Sequence, residues 1–355
     1  MQRQDASKVA SSLGISMEAV EITFGCDAID LHIDTFIPHR LVRYNVLARH
    51  AGGFLGGRFF GHADLPRMNE GGLTGGMWSI TTNPFRPARS RWRTFQKNLS
   101  KFRGIVDRSG GELRFARTAR EYREARAAGA HACMLAIQGG NALVAAPDGP
   151  ASVPDRLLTR VTLVHLTNSE YGASSTPIAA RVRSDHGLSR RGKELVERLN
   201  AERIFVDLAH IHPESFWDAV GVHDRSQPLI DTHTGVKGVC GSWRNLDDDQ
   251  IRAIADTGGT IGLIFAQVFL RDGGGDMDGS ILVDHMQHII DVAGDDFVSI
   301  GTDYDGAVIP PTDLRSAETY PRLVQHMLDR GWTAERIQKI LSGNYLRAFS
   351  ELRPE

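Results

Sequence analysis

Eight short apolar runs separated by stretches of helical pattern constrain this chain more than any other feature. They fall at roughly 27–33, 74–80, 131–137, 160–166, 203–209, 227–232, 259–265 and 297–302. Several are near-continuously apolar, as strands of a parallel sheet covered on both faces must be. Eight strands alternating with helices are what a closed (β/α)8 barrel requires, and 355 residues is long enough for such a barrel with insertions.

The intervening stretches carry helix punctuation. Glu121 to Ala128 is rich in Ala and Arg and ends at Gly129. Ser189 is placed to cap a helix bearing Leu195, Val196 and Leu199. Asp247, Asp248 and Asp249 put negative charge at the start of a helix that stops at Gly258-Gly259, as the helix dipole and C-cap preferences require. Thr333 to Ser350 reads as a terminal helix pair. No internal repeat and no Pro-, Gly- or Ser-rich linker divides the chain, so a single domain over 1–355 is expected, with C-terminal helices at about 316–350. The segment from about 38 to 76, rich in Gly and Arg (Gly52-Gly53, Gly56-Gly57, Gly71-Gly72, Gly75-Gly76), is too long for an ordinary connection. An insertion after the first barrel strand lies at the mouth, where it serves as a lid, as a pocket wall or as a packed surface excursion.

Polar residues fall at the ends of these runs. His32 and Asp34 close the first run two residues apart, and in a strand such a pair shares one face. Gln138 ends the third run, His165 the fourth, His210 the fifth, His233 the sixth and Asp303 the eighth. Any one of these histidines alone is more often a packed or surface residue than a ligand. In a barrel, however, the C-terminal strand ends converge at one mouth. Nitrogen and oxygen donors gathered there suit a divalent metal, most simply zinc. His62 and Asp64 repeat the His-x-Asp spacing but follow no strand, and they are read as structural.

Composition excludes several classes. With 41% hydrophobic and 24% charged residues the chain is an ordinary globular one. A net charge of −2 offers no footprint for nucleic acid or an anionic membrane. No apolar run reaches the length of a transmembrane helix. Met1 to Met17 lacks a charged-then-apolar leader, and the Ser350–Glu355 tail is no lipid-anchor signal. Cys26, Cys133 and Cys240 are widely spaced, suit a reducing compartment and have no zinc-type spacing. A cytoplasmic location is expected.

The ordered motifs resemble the renal, or membrane, dipeptidase family of zinc peptidases, within the amidohydrolase-type TIM barrels. The matching text is Asp30-Leu31-His32-Ile33-Asp34-Thr35, Ile137-Gln138-Gly139-Gly140, Leu163-Val164-His165-Leu166-Thr167-Asn168 and Gly187-Leu188-Ser189. It continues with Val206-Asp207-Leu208-Ala209-His210, Asp231-Thr232-His233-Thr234, Arg244-Asn245 and Ile300-Gly301-Thr302-Asp303-Tyr304-Asp305-Gly306. The resemblance implies that His32 and Asp34 hold one metal and His210 and His233 a second, with Gln138 in the bridging position. It implies that His165 polarises the scissile carbonyl, that Arg244 pairs with a substrate carboxylate, and that Asp303 is general base and proton shuttle. Tyr304 and Asp305 are read as a structural turn. The resemblance also brings an expectation of a small-molecule substrate and of a homodimer.

Two departures stand out. The family's bridging glutamate, in a Glu-Gly-Gly context, is Gln138 here. A carboxamide offers one neutral oxygen where a carboxylate offers two anionic ones, so a weakened or absent second metal is expected. On charge grounds the His32/Asp34 side is expected to persist, while a substitute anion, such as Asp231 or a bound hydroxide, would rescue the pair. Asp231 itself stands where the family usually has a small residue such as Ser. Three readings follow: a metal-dependent dipeptidase; a hydrolase of another small amide, an N-acyl amino acid or a lactone, with one metal; and a catalytically silent ligand-binding relative.

Overall fold

The computed structural model describes residues 3–51, 58–182 and 184–355. Among the described residues nine strands are present: β1 Ile29–Ile33, β2 Gly75–Thr81, β3 Leu113–Phe115, β4 His131–Gln138, β5 Leu158–Thr162, β6 Phe205–Asp207, β7 Ile230–Thr234, β8 Thr260–Leu263 and β9 Val298–Ile300. All pairings are parallel, and eight strands close a barrel in the order β1-β2-β4-β5-β6-β7-β8-β9 and back to β1. This is the (β/α)8 architecture that the apolar runs predict, and each run overlaps one barrel strand. The ninth strand, β3, pairs only with the first residues of β4 (Leu113 with His131, Phe115 with Cys133), while β5 pairs with the remainder of β4. Three residues carry too little period to be seen in a sequence.

The strands are apolar throughout because both faces are covered. β2 and β4 are buried along their whole length, with Trp78, Phe95, Phe102 and Leu135 among the fully enclosed side chains outside the barrel wall. The helix ends follow the sequence signals closely. Ser189 Oγ accepts from Gly192 N to cap Arg190–Ala201. Asp247 and Gln250 form a reciprocal capping box on Asp248–Ala255, each such cap contributing about 1 kcal/mol. The C-terminal stretch differs from the expected pair. Helix Ala334–Gln338 runs through a π-helical turn, Lys339–Gly343, into helix Asn344–Leu352. No proline separates the two, so the backbone absorbs the offset by widening one turn. Among the described residues no helix is long and apolar enough to cross a membrane.

The 38–76 insertion is tied down at both ends. Helix Phe36–Val42 follows β1, and helix Leu65–Glu70 precedes β2. Asp64 caps the latter, accepting from Arg67 N, and also takes Arg67 Nε at 2.7 Å. His62 Nδ1 accepts from Asp305 N, and the Asp305 carboxylate accepts from Gly61 N, His62 N and Thr35 Oγ1. His62, Asp64 and Asp305 are therefore structural, stitching the insertion to the ends of β1 and β9. Gly52-Gly53 and Gly56-Gly57 lie outside the described residues.

Away from the mouth, His131 at the start of β4 is buried, accepting from Trp78 Nε1 at 3.3 Å and facing Leu73 O at 3.3 Å. Burial pushes its pKa down from the ordinary 6.5 to about 4. The unfolded chain therefore binds a proton that the native one refuses, and stability falls as pH drops below 6.5, levelling off near 4. Denaturant melts at pH 7 and pH 5 are expected to differ by roughly 2 kcal/mol from this group alone. A His131→Phe variant is expected to lose that part of the difference, and equal pH slopes in both proteins would contradict the assignment.

Candidate active site

Each site residue sits at the C-terminal end of its strand, so parallel pairing delivers all of them to one mouth. His32 lies inside β1, and Asp34 follows two residues on. Gln138 ends β4, His233 lies inside β7, and His210 and Asp303 lie just beyond β6 and β9. His210 and Asp303 both adopt left-handed backbone, with φ of 66° and 59°. For non-glycine residues this stores strain, of the kind that clusters at functional sites. Asp303 is held there by its N–H, which donates to His32 O, and by Gly306. A Cβ on Gly306 would lie 2.1 Å from Asp303 Oδ1. Gly306→Ala is accordingly expected to displace the carboxylate and lower turnover by about tenfold or more while thermal stability changes little, a comparison that activity assays and melts decide.

His32, Asp34, Gln138, His210, His233, Arg244 and Asp303 are all buried. His32 Nε2 is 3.6 Å from Asp34 Oδ1 and 3.7 Å from Asp303 Oδ1. His210 Nε2 lies 2.8 Å from His233 Nε2 and 3.4 Å from Gln138 Nε2. The His32 and His233 rings have centroids 3.8 Å apart, and His165 stands edge-on to His210 at 4.6 Å. The sequence-predicted residues thus come together. His165 lies three residues past β5, half-buried on the cavity wall, because Leu163 and Val164 continue inward beyond the ladder.

Several polar atoms in this cluster have no hydrogen-bonding partner: His32 Nε2, Asp34 Oδ1, Gln138 Oε1, His210 Nδ1, Arg244 Nε and Asp303 Oδ1. Buried polar atoms are normally paired, and leaving several unpaired in one place costs several kcal/mol. Converging nitrogen and oxygen donors left unpaired fit a divalent cation, and His32, His233 and Asp303 bring ligand atoms within 4.8 Å of one another. Electrostatics agree. Burial, then the Asp34 charge, raises Asp303 well above the carboxylate range, and burial raises Asp34 to about 6. Burial holds His32, His210 and His233 well below their usual value and His165 at about 4. Burial thus favours the neutral form of these imidazoles, the form that can ligate a metal.

Arg244 donates to His233 O at 2.6 Å and lines a cavity of about 480 Å³ together with Asp34, His165, His210 and Asp303. The outer wall is apolar, built by Phe59 from the insertion and by Trp243, Val268, Phe269 and Ile309. The insertion does supply one wall of the mouth.

Below the cluster lies a polar floor that the strand-end reading missed. Arg160, fully buried in β5, donates to Thr162 Oγ1, Asp207 Oδ2 and Ser79 Oγ and faces His32 Nδ1. Asp207 also accepts from Thr162 Oγ1 and Thr232 Oγ1. The available signal was a charged residue inside the otherwise uncharged strand Leu158–Thr162, two positions before Thr162 on the same inward face.

Comparisons with known proteins bear on the family and the fold. The profile of the membrane dipeptidase family, peptidase family M19, matches residues 18–354. An uncharacterised protein of the pqqA 5′ region of Klebsiella pneumoniae is 34% identical over 169 residues, which span 47% of this chain and 61% of that protein. A solved M19 metallopeptidase described as dipeptidase AC is 26% identical, with a TM-score of 0.79 over 93% of this chain and 99% of that one. A metallopeptidase from Rhodobacter sphaeroides, solved with a phosphinate mimic of the dipeptide L-Ala-D-Ala, is 25% identical, with a TM-score of 0.78 over 92% and 99%. Together they support a metal-dependent hydrolase of the dipeptidase type. On this evidence the chain belongs to the membrane dipeptidase family, M19.

Proposed function

We propose that this enzyme cleaves the amide bond of small dipeptides bearing a free carboxylate and apolar side chains, with zinc as its ion. The observation that carries this reading is the group of unpartnered oxygens, Asp34 Oδ1, Gln138 Oε1 and Asp303 Oδ1, buried at the barrel mouth with the facing Nε2 atoms of His210 and His233. When bound, such an ion brings the pKa of a water near 7 and so makes a nucleophile available at neutral pH. Asp303, whose carboxyl holds a proton more firmly than an ordinary aspartate, takes the proton of the attacking water and passes it to the leaving amine. His165 lines the cavity as a neutral imidazole and donates to the developing oxyanion. Arg244 lines the cavity and offers the substrate carboxylate a planar guanidinium, which is suited to it. Phe59, Trp243, Val268 and Phe269 favour an apolar side chain over a charged one.

The test is hydrolysis of a dipeptide panel by protein purified without chelator, before and after added zinc, with metal content measured in parallel. Turnover of apolar dipeptides that a chelator abolishes and zinc restores is the expected result. The apolar wall also suits the acyl chain of an N-acyl amino acid. Cleavage of those compounds, with every dipeptide left intact under excess zinc, would replace the dipeptidase reading by the acylase one.

A further inference from the structure

The two histidines at the heart of the mouth have opposite partners on their inner nitrogens. Arg160 is fully buried, and its two terminal nitrogens make four contacts. One donates to Thr162 Oγ1 at 2.5 Å and to Asp207 Oδ2 at 3.1 Å. The other donates to Ser79 Oγ at 2.8 Å and faces His32 Nδ1 at 3.0 Å. A guanidinium has donors only and keeps its charge in proteins, so His32 Nδ1 must accept. The single proton of a neutral imidazole then lies on Nε2, the nitrogen that faces Asp34 and Asp303. A protonated nitrogen has no lone pair to give a metal. Arg160 cannot turn aside cheaply, because Ser79, Thr162 and Asp207 would lose a buried donor.

His233 is set the other way. Its Nδ1 is 2.9 Å from Thr232 Oγ1, whose hydroxyl donates to Asp207 Oδ2 at 2.8 Å. With its own proton committed to Asp207, the Thr232 oxygen accepts from His233 Nδ1–H. The lone pair of His233 Nε2 is left facing His210 Nε2, and because His210 Nδ1 has no partner the His210 proton is free to sit there and leave its Nε2 lone pair to an ion. Bonding of a ligating histidine through its other nitrogen, as here, fixes the tautomer that binds metal. The two Nε2 atoms, 2.8 Å apart, are the pair that would hold the ion.

We propose that Arg160 removes His32 from the metal's ligand set, so that the centre holds one ion, on the His210 and His233 side, with the Nε2–H of His32 turned toward the two carboxylates. Asp207 is common to both settings, anchoring Arg160 beneath His32 and orienting His233 through Thr232. Gln138 acts in the same direction, since it lacks the second anionic oxygen needed to bridge two cations. Charge alone favours the Asp34 side for a lone ion, and the Arg160 contact reverses that preference. This inference rests on the metal-hydrolase reading above but is tested by binding rather than turnover.

The experiment is zinc titration of the demetallated full chain against a chromophoric chelator, with zinc-edge X-ray absorption on the wild type at saturation. We expect one zinc per chain coordinated by two imidazoles. His32→Gln is expected to keep zinc affinity within about threefold, whereas His210→Gln and His233→Gln lose about 100-fold or more. Gln138→Glu alone is expected to stay at one ion, and the Gln138→Glu/Arg160→Met double variant to take up two. Two zinc ions or three imidazoles in the wild type would overturn the proposal, as would a 100-fold loss in His32→Gln. All three of those readouts stand even if the double variant does not fold. A wild type that binds no zinc would overturn the metal-hydrolase reading itself, and the inference with it.

Discussion

Asp303→Asn is expected to lower kcat by about 1000-fold, the scale of a lost general acid–base group, while the protein keeps its fold. The substitution preserves shape, and the backbone N–H to His32 O and the close approach of Gly306 hold either side chain in the same left-handed turn. What changes is the ability to take and return a proton. Burial and the neighbouring Asp34 charge raise the Asp303 carboxyl, so its basic form is lost on acidification sooner than that of an ordinary aspartate. A base must be ionised to work. The acid limb of kcat/KM in the wild type should therefore lie closer to neutrality than pH 4, and it should be absent from the residual activity of the variant. Steady-state kinetics across pH, on samples matched for metal content, decide the matter. Activity within tenfold of wild type, with an unchanged acid limb, would remove Asp303 from the mechanism.

The second large effect concerns Arg244. Arg244→Met is expected to reduce kcat/KM by about 100-fold or more on substrates with a free carboxylate, mainly through KM, since a buried charge-assisted pair is typically worth about 2–5 kcal/mol. The guanidinium is nearly enclosed, with one nitrogen on His233 O and Nε unpartnered at the cavity. Asp231, then Asp207 and Asp303, supply the negative field that keeps it charged in spite of burial. Because Arg244 also braces His233, a loss of activity alone would not distinguish binding from bracing. Substrate amidation does. Wild type should discriminate strongly between a dipeptide and its carboxamide, and the variant should treat the two alike. Equal losses on both substrates would make Arg244 a structural brace.

The barrel was legible because its signals are local. Apolar runs such as 131–137 and 259–265 reflect strands covered on both faces, and caps such as Ser189 and Asp247 need only their own next few residues. The site was legible for a related reason: once parallel strands are assumed, their ends must converge, so His32, Asp34, His210, His233 and Asp303 meet at one mouth. Strand β3 escaped because three residues carry no period. The π-helical turn at Lys339–Gly343 escaped because an uninterrupted helical pattern gives no sign of one wider turn.

By itself the sequence determines which chemical groups reach the barrel mouth, since strand period and strand end settle where each side chain points. Only the tertiary structure decides what those groups can do. Whether His32 offers a lone pair or a proton depends on Arg160, 128 residues away in sequence, and the same Asp207 that holds Arg160 turns His233 the opposite way through Thr232. The physical reason is that a neutral imidazole has one proton and two nitrogens. Which nitrogen keeps it is set by contacts across the barrel interior, and those contacts have no counterpart in the local pattern of any one strand.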